Sequence, residues 1–232
     1  MTATTNDPIR RILAAALLAF PCLFLLVFLM HFRHPADLLH FRSHYVAPTP
    51  DHYERQVAML IAAHNHWPMI HDPHMIGYLA LPVIPLCAFA LYLLGRRKRP
   101  LASAIAMMIT ITGTIYMGGV FGMWTAFFRG IGLVDPSQQA GATATFIALT
   151  TPQGAFLLTT MLAKLTMLGL AAQALTLIHV PQVRTWSVVC IVTGSLMFLV
   201  FWDLDNWMMI ATLLILAGFV AMRKLLLQDE TA

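Results

Sequence analysis

Charged side chains are scarce in this sequence. Lys, Arg, Asp and Glu make up 10% of the 232 residues, while apolar residues make up 59%. Soluble domains carry about 25% charged and roughly 45–50% apolar residues. The composition therefore excludes an ordinary soluble domain and predicts a protein that lies largely within a lipid bilayer.

Cysteine is also scarce, and recognisable catalytic motifs are missing. The three cysteines, Cys22, Cys87 and Cys190, fall inside apolar runs, which favours packing over a disulfide framework. The chain contains no H-x-x-H-H box, no H-E-x-x-H motif and no glycine-rich phosphate loop. A haem bound between transmembrane helices needs histidines that face each other within those helices. The predicted spans contain almost no histidine, so a haem would have to lie near the surface, bound by His31 or His74. Whether the protein is an enzyme stays undecided.

Long apolar runs are what the sequence has instead. Ile12–Met30, Met75–Gly95 and Leu101–Phe128 contain no charged residue, and each is long enough to cross a bilayer as a helix, which takes on the order of 20 residues. We therefore predict an all-α integral membrane protein, a single bundle of about six transmembrane helices. The first run is interpreted as a retained span because no small-residue cleavage site follows it. The predicted spans are residues 9–30, 74–95, 101–124, 152–179, 186–202 and 207–223.

Basic residues predict the orientation of this bundle. Six spans bring four clusters to one side, namely Arg10/Arg11, Arg96–Arg99, Arg184 and Arg223/Lys224. The positive-inside rule makes that side the cytoplasm, so both termini are predicted to be cytoplasmic and the protein to lie in the inner (plasma) membrane. Residues 31–73 and 125–151 then form a short helical extracytoplasmic cap. Small basic clusters beside apolar runs are topology signals, and we predict no nucleic-acid partner.

Nine of the ten histidines lie between His31 and His74. Helical spacing places Asp37, His40 and His44 on one face. A second group of histidines follows further along the segment, at His64, His66, His71 and His74. Imidazole and carboxylate ligands in such groups suit copper, zinc or iron. The predicted metal ligands are Asp37, His40, His44, His64, His66, His71 and His74.

A metal is not the only interpretation of these histidines. Histidine is amphipathic and is tolerated at a lipid headgroup boundary, and Asp37 and Asp72 are both explained as helix-start residues. His74 falls in the first turn of the second span, where the helix dipole disfavours protonation and keeps the imidazole available as a ligand. Met69 and Met75 flank the second group and would favour Cu(I).

Lys164 is the second candidate site. At 1.5 Å per residue it lies on the order of 18 Å from Pro152, near the middle of a hydrocarbon core about 30 Å thick. A charge at that depth must face an acidic partner, a cavity or the bundle interior. Asp203 and Asp205 are the candidate acidic partners, and the three residues form the predicted cofactor-binding site. In another option Lys164 receives an anionic group, a quinone carbonyl or a lipid phosphate. The alternative is a structural lysine that bonds nearby hydroxyls, those of Thr160, Thr110 or Thr114.

Three functions remain open at this stage. The leading hypothesis is metal handling or metal-dependent redox chemistry at the histidine-rich cap. The second is a non-catalytic accessory or assembly subunit of a larger membrane complex, or a homo-oligomer, joined through the third span. That span carries Gly118 and Gly122 in a small-xxx-small pattern, with Thr110 and Thr114 on one face. The third is a small transporter or pH sensor that uses histidine titration.

Overall fold

The computed structural model describes residues 7–32, 35–39, 49–63, 73–150, 154–201 and 205–228. Within these ranges all regular structure is helical. Short 3₁₀ helices occupy Pro35–Leu39, Pro136–Gln138 and Leu177–His179. The α-helices are α1 Pro8–Leu29, α2 Pro50–Ala63, α3 Pro73–Ala80, α4 Val83–Gly95, α5 Pro100–Gly132, α6 Gln139–Thr150, α7 Gly154–Ala163, α8 Leu165–Thr176, α9 Thr185–Val200 and α10 Asp205–Gln228.

Several helical stretches are long and apolar enough to cross a membrane. Five of them meet this criterion among the described residues: Pro8–Leu29, His74–Gly95, Pro100–Gly132, Phe156–His179 and Asn206–Gln228. The chain therefore has the helices of a multi-pass membrane protein. Helix α9 is apolar but has 16 residues, about 24 Å against a core of about 30 Å. The sixth span and the direction of the termini stay predictions.

Prolines explain where the second span bends. Pro82 and Pro85 have no amide hydrogen, so the carbonyls of Tyr78 and Leu81 lose their usual partners four residues on. The Leu81 amide donates to Tyr78 O at 3.2 Å instead, and the Ile84 amide donates to Leu81 O at 3.0 Å. These tighter bonds separate α3 from α4 without leaving the carbonyls unpaired.

Helix α5 extends beyond its predicted end. The sequence predicted a span over 101–124 and a separate segment over 125–151, but α5 runs on to Gly132. The added turns carry Phe127, Phe128 and Ile131, which pack against neighbouring helices. The predicted short helix before Thr151 is present as α6. Asp135 precedes the 3₁₀ turn that leads into it and accepts hydrogen bonds from the amide and hydroxyl of Ser137 at 2.8 and 2.6 Å.

Phenylalanines hold the bundle together around α1. Phe20, Phe24 and Phe28 are buried along one face of that helix. The ring of Phe24 lies 6.4 Å from that of Phe198 on α9 and 6.2 Å from that of Phe121 on α5. Phe20 faces Phe219 on α10 at 6.3 Å. These ring contacts link α1 to three other helices.

Glycines permit a close crossing between α5 and α8. A Cβ at Gly113 would lie 2.5 Å from the carbonyl carbon of Leu165, and one at Gly169 would lie 2.5 Å from the Thr110 amide nitrogen. By contrast, a Cβ at Gly118 or Gly122 would meet its nearest neighbour at an ordinary 3.6 Å. The tight contact is therefore made one turn away from the predicted small-xxx-small pair.

Gln173 links three helices inside the bundle. It is fully buried on α8, and its Nε2 donates to Ala88 O on α4 at 2.7 Å. Thr110 Oγ1 on α5 donates to Gln173 Oε1 at 3.0 Å. Thr114 is also buried and donates to Thr110 O at 2.8 Å. Thr110 and Thr114 are thus both hydrogen-bonded within the chain, and the predicted partner contact of the third span stays a prediction.

Candidate functional site

The cap has a small hydrophobic core of its own. Val57 on α2, Ile131 at the end of α5 and Phe146 on α6 are buried together. The Phe146 ring lies 5.3 Å from that of Tyr53 and 5.4 Å from that of Phe127. Because α5 also belongs to the bundle, the cap is built directly on one of the spans.

Trp124 joins this cap to the bundle. Its ring stacks on Phe128 at 5.2 Å and meets the ring of Phe146 at 6.1 Å and that of Phe156, at the start of α7, at 6.0 Å. His74 lies on another side of Trp124 at 6.3 Å. One indole therefore contacts both hydrophobic clusters and the first turn of α3. We call this end of the molecule, with His31, His74 and Trp124, the cap end.

Two histidines meet at the cap end. His31 follows the last turn of α1, and His74 is the second residue of α3, as the sequence predicted. Their ring centroids are 5.6 Å apart and the ring planes are nearly perpendicular, at 86°. The two residues are thus neighbours in space although the whole histidine-rich segment separates them along the chain.

A backbone carbonyl fixes the His31 ring. Nδ1 of His31 lies 2.9 Å from Val27 O. Since a carbonyl oxygen can only accept, Nδ1 must carry the proton, and Nε2 of the neutral ring keeps the lone pair. Histidines that bind metals almost always donate their other ring N–H to a carbonyl or carboxylate in this way.

Aromatic rings enclose the His74 imidazole on one side. Its centroid lies 4.9 Å from that of Phe128 and 6.3 Å from those of Phe121 and Trp124. His74 is half-buried, whereas His31 is exposed. The pair therefore stands at a boundary, with an apolar wall behind one ring and open space beside the other.

The spacing of the pair is compatible with a shared metal ion and equally with an ordinary edge-to-face ring contact. With metal–nitrogen distances of about 2.0–2.1 Å, two imidazoles on one ion have centroids about 5–6 Å apart. Within the ranges that the structure describes, no three His, Cys, Asp or Glu side chains come together. Among the predicted ligands, His40, His44, His64, His66 and His71 lie outside the described residues, and Asp37 belongs to the 3₁₀ helix Pro35–Leu39.

The remaining described histidines lie apart from the pair. His52 is exposed on α2, where its ring is 6.1 Å from that of Tyr53. His179 is exposed at the end of the 3₁₀ helix after α8. Sequence reasoning named His31 only as a haem alternative and missed its pairing with His74. The available signal was that each residue borders a predicted span at the same end of the bundle.

A hydrogen bond brings the second predicted site towards the cap. Asn206 Nδ2, at the start of α10, donates to Leu38 O at 2.6 Å. The sequence neighbours of these two residues are Asp205 and Asp37, so two predicted site residues belong to touching segments. Asp203 lies outside the described residues.

Lys164 occupies a break between two helices. It separates α7 from α8 and is half-buried. The next residues, Leu165 and Thr166, are those that α5 approaches across Gly113. Thr160, Thr110 and Thr114 each donate to a backbone carbonyl of their own helix. The predicted pairing of Lys164 with Asp203 or Asp205 stays a prediction.

Comparisons with known protein families, with curated proteins and with solved structures found no match to this chain. The functional argument therefore depends on the geometry of its own residues.

Proposed function

We propose that the chain is an inner-membrane protein whose histidine-rich cap binds a transition-metal ion and serves metal handling or metal-dependent redox chemistry. The observation that carries the proposal is the His31–His74 pair, 5.6 Å apart, with His31 Nδ1 held by Val27 O at 2.9 Å. Copper, zinc and iron all accept imidazole ligands. In this proposal His31 and His74 supply two of them.

The pair also organises the rest of the segment. The chain between His31 and His74 carries seven further histidines, and its two ends meet at this pair. Closing a loop in this way lowers the entropic cost of bringing its other residues to a common point. Asp37, His40, His44, His64, His66 and His71 are the proposed source of the remaining ligands.

The aromatic wall gives the site a second property. Phe128 and Trp124 cover one side of His74, and a hydrophobic shell around a metal lowers the local dielectric and controls solvent access. Such a shell shifts the redox potential of copper or iron. Zinc would be held by the same imidazoles without redox change.

The orientation is part of the proposal. Six spans with both termini in the cytoplasm would place the cap end outside the cell, because the exposed residues Arg96–Arg99 lie in the turn between α4 and α5. The positive-inside rule assigns such a cluster to the cytoplasm. The proposal also requires α9 to cross the membrane despite its 16 residues.

Metal analysis of the full-length protein, purified without an affinity tag, tests the site. We expect a stoichiometric amount of copper, zinc or iron in the wild type and its loss in His31→Ala and in His74→Ala. His179→Ala is the matched control, since His179 is exposed just after the end of α8, which packs beside Gly95 at the end of α4, and it should retain the metal. If copper binds, the EPR spectrum of Cu(II) should show nitrogen coupling that both cap variants change.

Two results would contradict the metal proposal. One is a wild-type protein without stoichiometric metal after purification and after incubation with each ion followed by desalting. The other is equal metal content in the wild type, the cap variants and the His179→Ala control.

A further inference from the structure

A shallow apolar groove lies between the first third of α5 and the start of α8. It has a volume of about 360 Å³ and is open along one side. One wall is α5 and the other is the start of α8. The lining residues are Ala104, Ile105, Met108, Ile109, Thr112 and Leu165.

Four consecutive basic residues directly precede α5, and the last of them stands five residues before Ala104, the first residue of the groove. Arg96, Arg97, Lys98 and Arg99 are all exposed. The amides of Lys98 and Arg99 donate to Gly95 O at 3.1 and 3.0 Å, so the run is folded into a compact turn directly before α5. We call residues 96–99 the basic turn.

The basic turn and the groove are joined by one face of α5. Leu101, Ile105 and Met108 follow at helical spacings of four and three residues and are 73%, 52% and 56% exposed. This stripe starts two residues after Arg99 and passes into the groove. The helix N-terminus adds positive potential at the same place, since the dipole of α5 has its positive end at Pro100.

We propose that this region binds an anionic phospholipid, with its phosphate at the basic turn and one acyl chain in the groove. The order of charges and apolar side chains matches such an amphiphile, because the cationic part lies at the membrane surface and the apolar part lies in the span. Basic clusters beside transmembrane helices recognise anionic lipid headgroups by this combination. The site is separate from the metal pair and does not depend on it.

Native mass spectrometry of the full-length protein in detergent tests the proposal. The probes are phosphatidylglycerol and phosphatidylcholine with identical acyl chains. We expect selective retention of phosphatidylglycerol, and a loss of retention of roughly thirtyfold in R96Q/R99Q, the effect expected of two basic residues near an anionic lipid.

A matched charge control is available at the end of α10. Arg223 and Lys224 are exposed there, but they lie near a helix C-terminus, whose dipole disfavours an anion. R223Q/K224Q removes the same charge and should retain the lipid. Equal losses in the two double variants would overturn the proposal, since they would show a diffuse electrostatic effect.

The groove is tested separately by filling it. Ala104→Trp should reduce retention of phosphatidylglycerol, whereas Ala102→Trp, at an exposed position on the same helix, should not. Thr112→Trp fills the far end of the groove and replaces Ala104→Trp if that variant does not fold. Unchanged retention in a folded groove variant would overturn the proposal. So would equal retention of phosphatidylcholine, or full displacement of the lipid by glycerol phosphate.

Discussion

Gln173 allows a hydrogen bond between transmembrane helices to be measured directly. It is fully buried, donates to Ala88 O at 2.7 Å and accepts from Thr110 Oγ1 at 3.0 Å. Gln173→Leu keeps a similar side-chain volume but removes both bonds. Hydrogen bonds between helices in membranes contribute about 0.6 kcal/mol on average and about 1.7 at most. The free energy of unfolding should therefore fall by about 1–3 kcal/mol in Gln173→Leu.

The share of Thr110 in this effect is smaller. A threonine hydroxyl has one proton, and Thr110 Oγ1 also lies 3.0 Å from Ala106 O on its own helix. The proton is divided between two acceptors, so the Thr110–Gln173 coupling should lie near the average of about 0.6 kcal/mol. Most of the loss in Gln173→Leu then comes from the bond to Ala88.

Reversible unfolding in mixed micelles measures both quantities. The wild type, Thr110→Val, Gln173→Leu and the double variant form a cycle whose coupling free energy isolates the pair. Thr145→Val is the control, because Thr145 is exposed on α6 and donates to Gly141 O within that helix. Two results together would refute the bridging role of Gln173. One is a coupling free energy of zero between Thr110 and Gln173, and the other is a Gln173→Leu variant that is as stable as the wild type.

Two further predictions concern α6 and the α5–α8 crossing. Gly169→Ala should destabilise the protein by about 1–3 kcal/mol through overpacking, since the Cβ would lie 2.5 Å from the Thr110 amide nitrogen. In Gly141→Ala the added Cβ meets nothing within 4 Å, and the stability of the protein should rise by about 0.5–1 kcal/mol. Equal free energies of unfolding for the Gly169→Ala and Gly141→Ala variants would contradict the assigned crossing. Hydrogen bonds from the Ser137 hydroxyl and amide lower the pKa of Asp135 below its ordinary 3.8. The charged carboxylate therefore stabilises this turn at pH values above the ordinary pKa. This stabilisation is lost as the pH falls through the lowered pKa of the folded protein. Ser137→Ala should raise the Asp135 pKa in a carboxyl NMR titration, and an unchanged titration would argue against the Ser137 contact.

Local signals in the sequence predicted much of the scaffold. Apolar runs located the long helices, and proline after a capping residue located the starts of α2 and α3. Asp135-Pro136 likewise predicted the turn before α6. These features depend on residues close together in the chain, where backbone geometry and missing amide hydrogens act directly.

Contacts between distant segments were less predictable. The sequence showed several small residues on α5, but only the approach of α8 decides that Gly113 is in the tight crossing and that Gly118 is not. Gln173 is a lone amide in an apolar run, and its role depends on Ala88 and Thr110 in two other helices. The His31–His74 pair was missed for the same reason.

Helix α5 is continuous over 33 residues from Pro100 to Gly132, about 50 Å at 1.5 Å per residue. It is therefore longer than the roughly 30 Å hydrocarbon core of a bilayer. The lipid groove and the basic turn lie along one part of this rod, and Trp124, Phe128 and Ile131 lie along the other. A tilt of α5 moves both parts together, in opposite directions about its centre. An upright α5 would project beyond the hydrocarbon region, and its packing against neighbouring helices and its interfacial aromatic residues set any tilt.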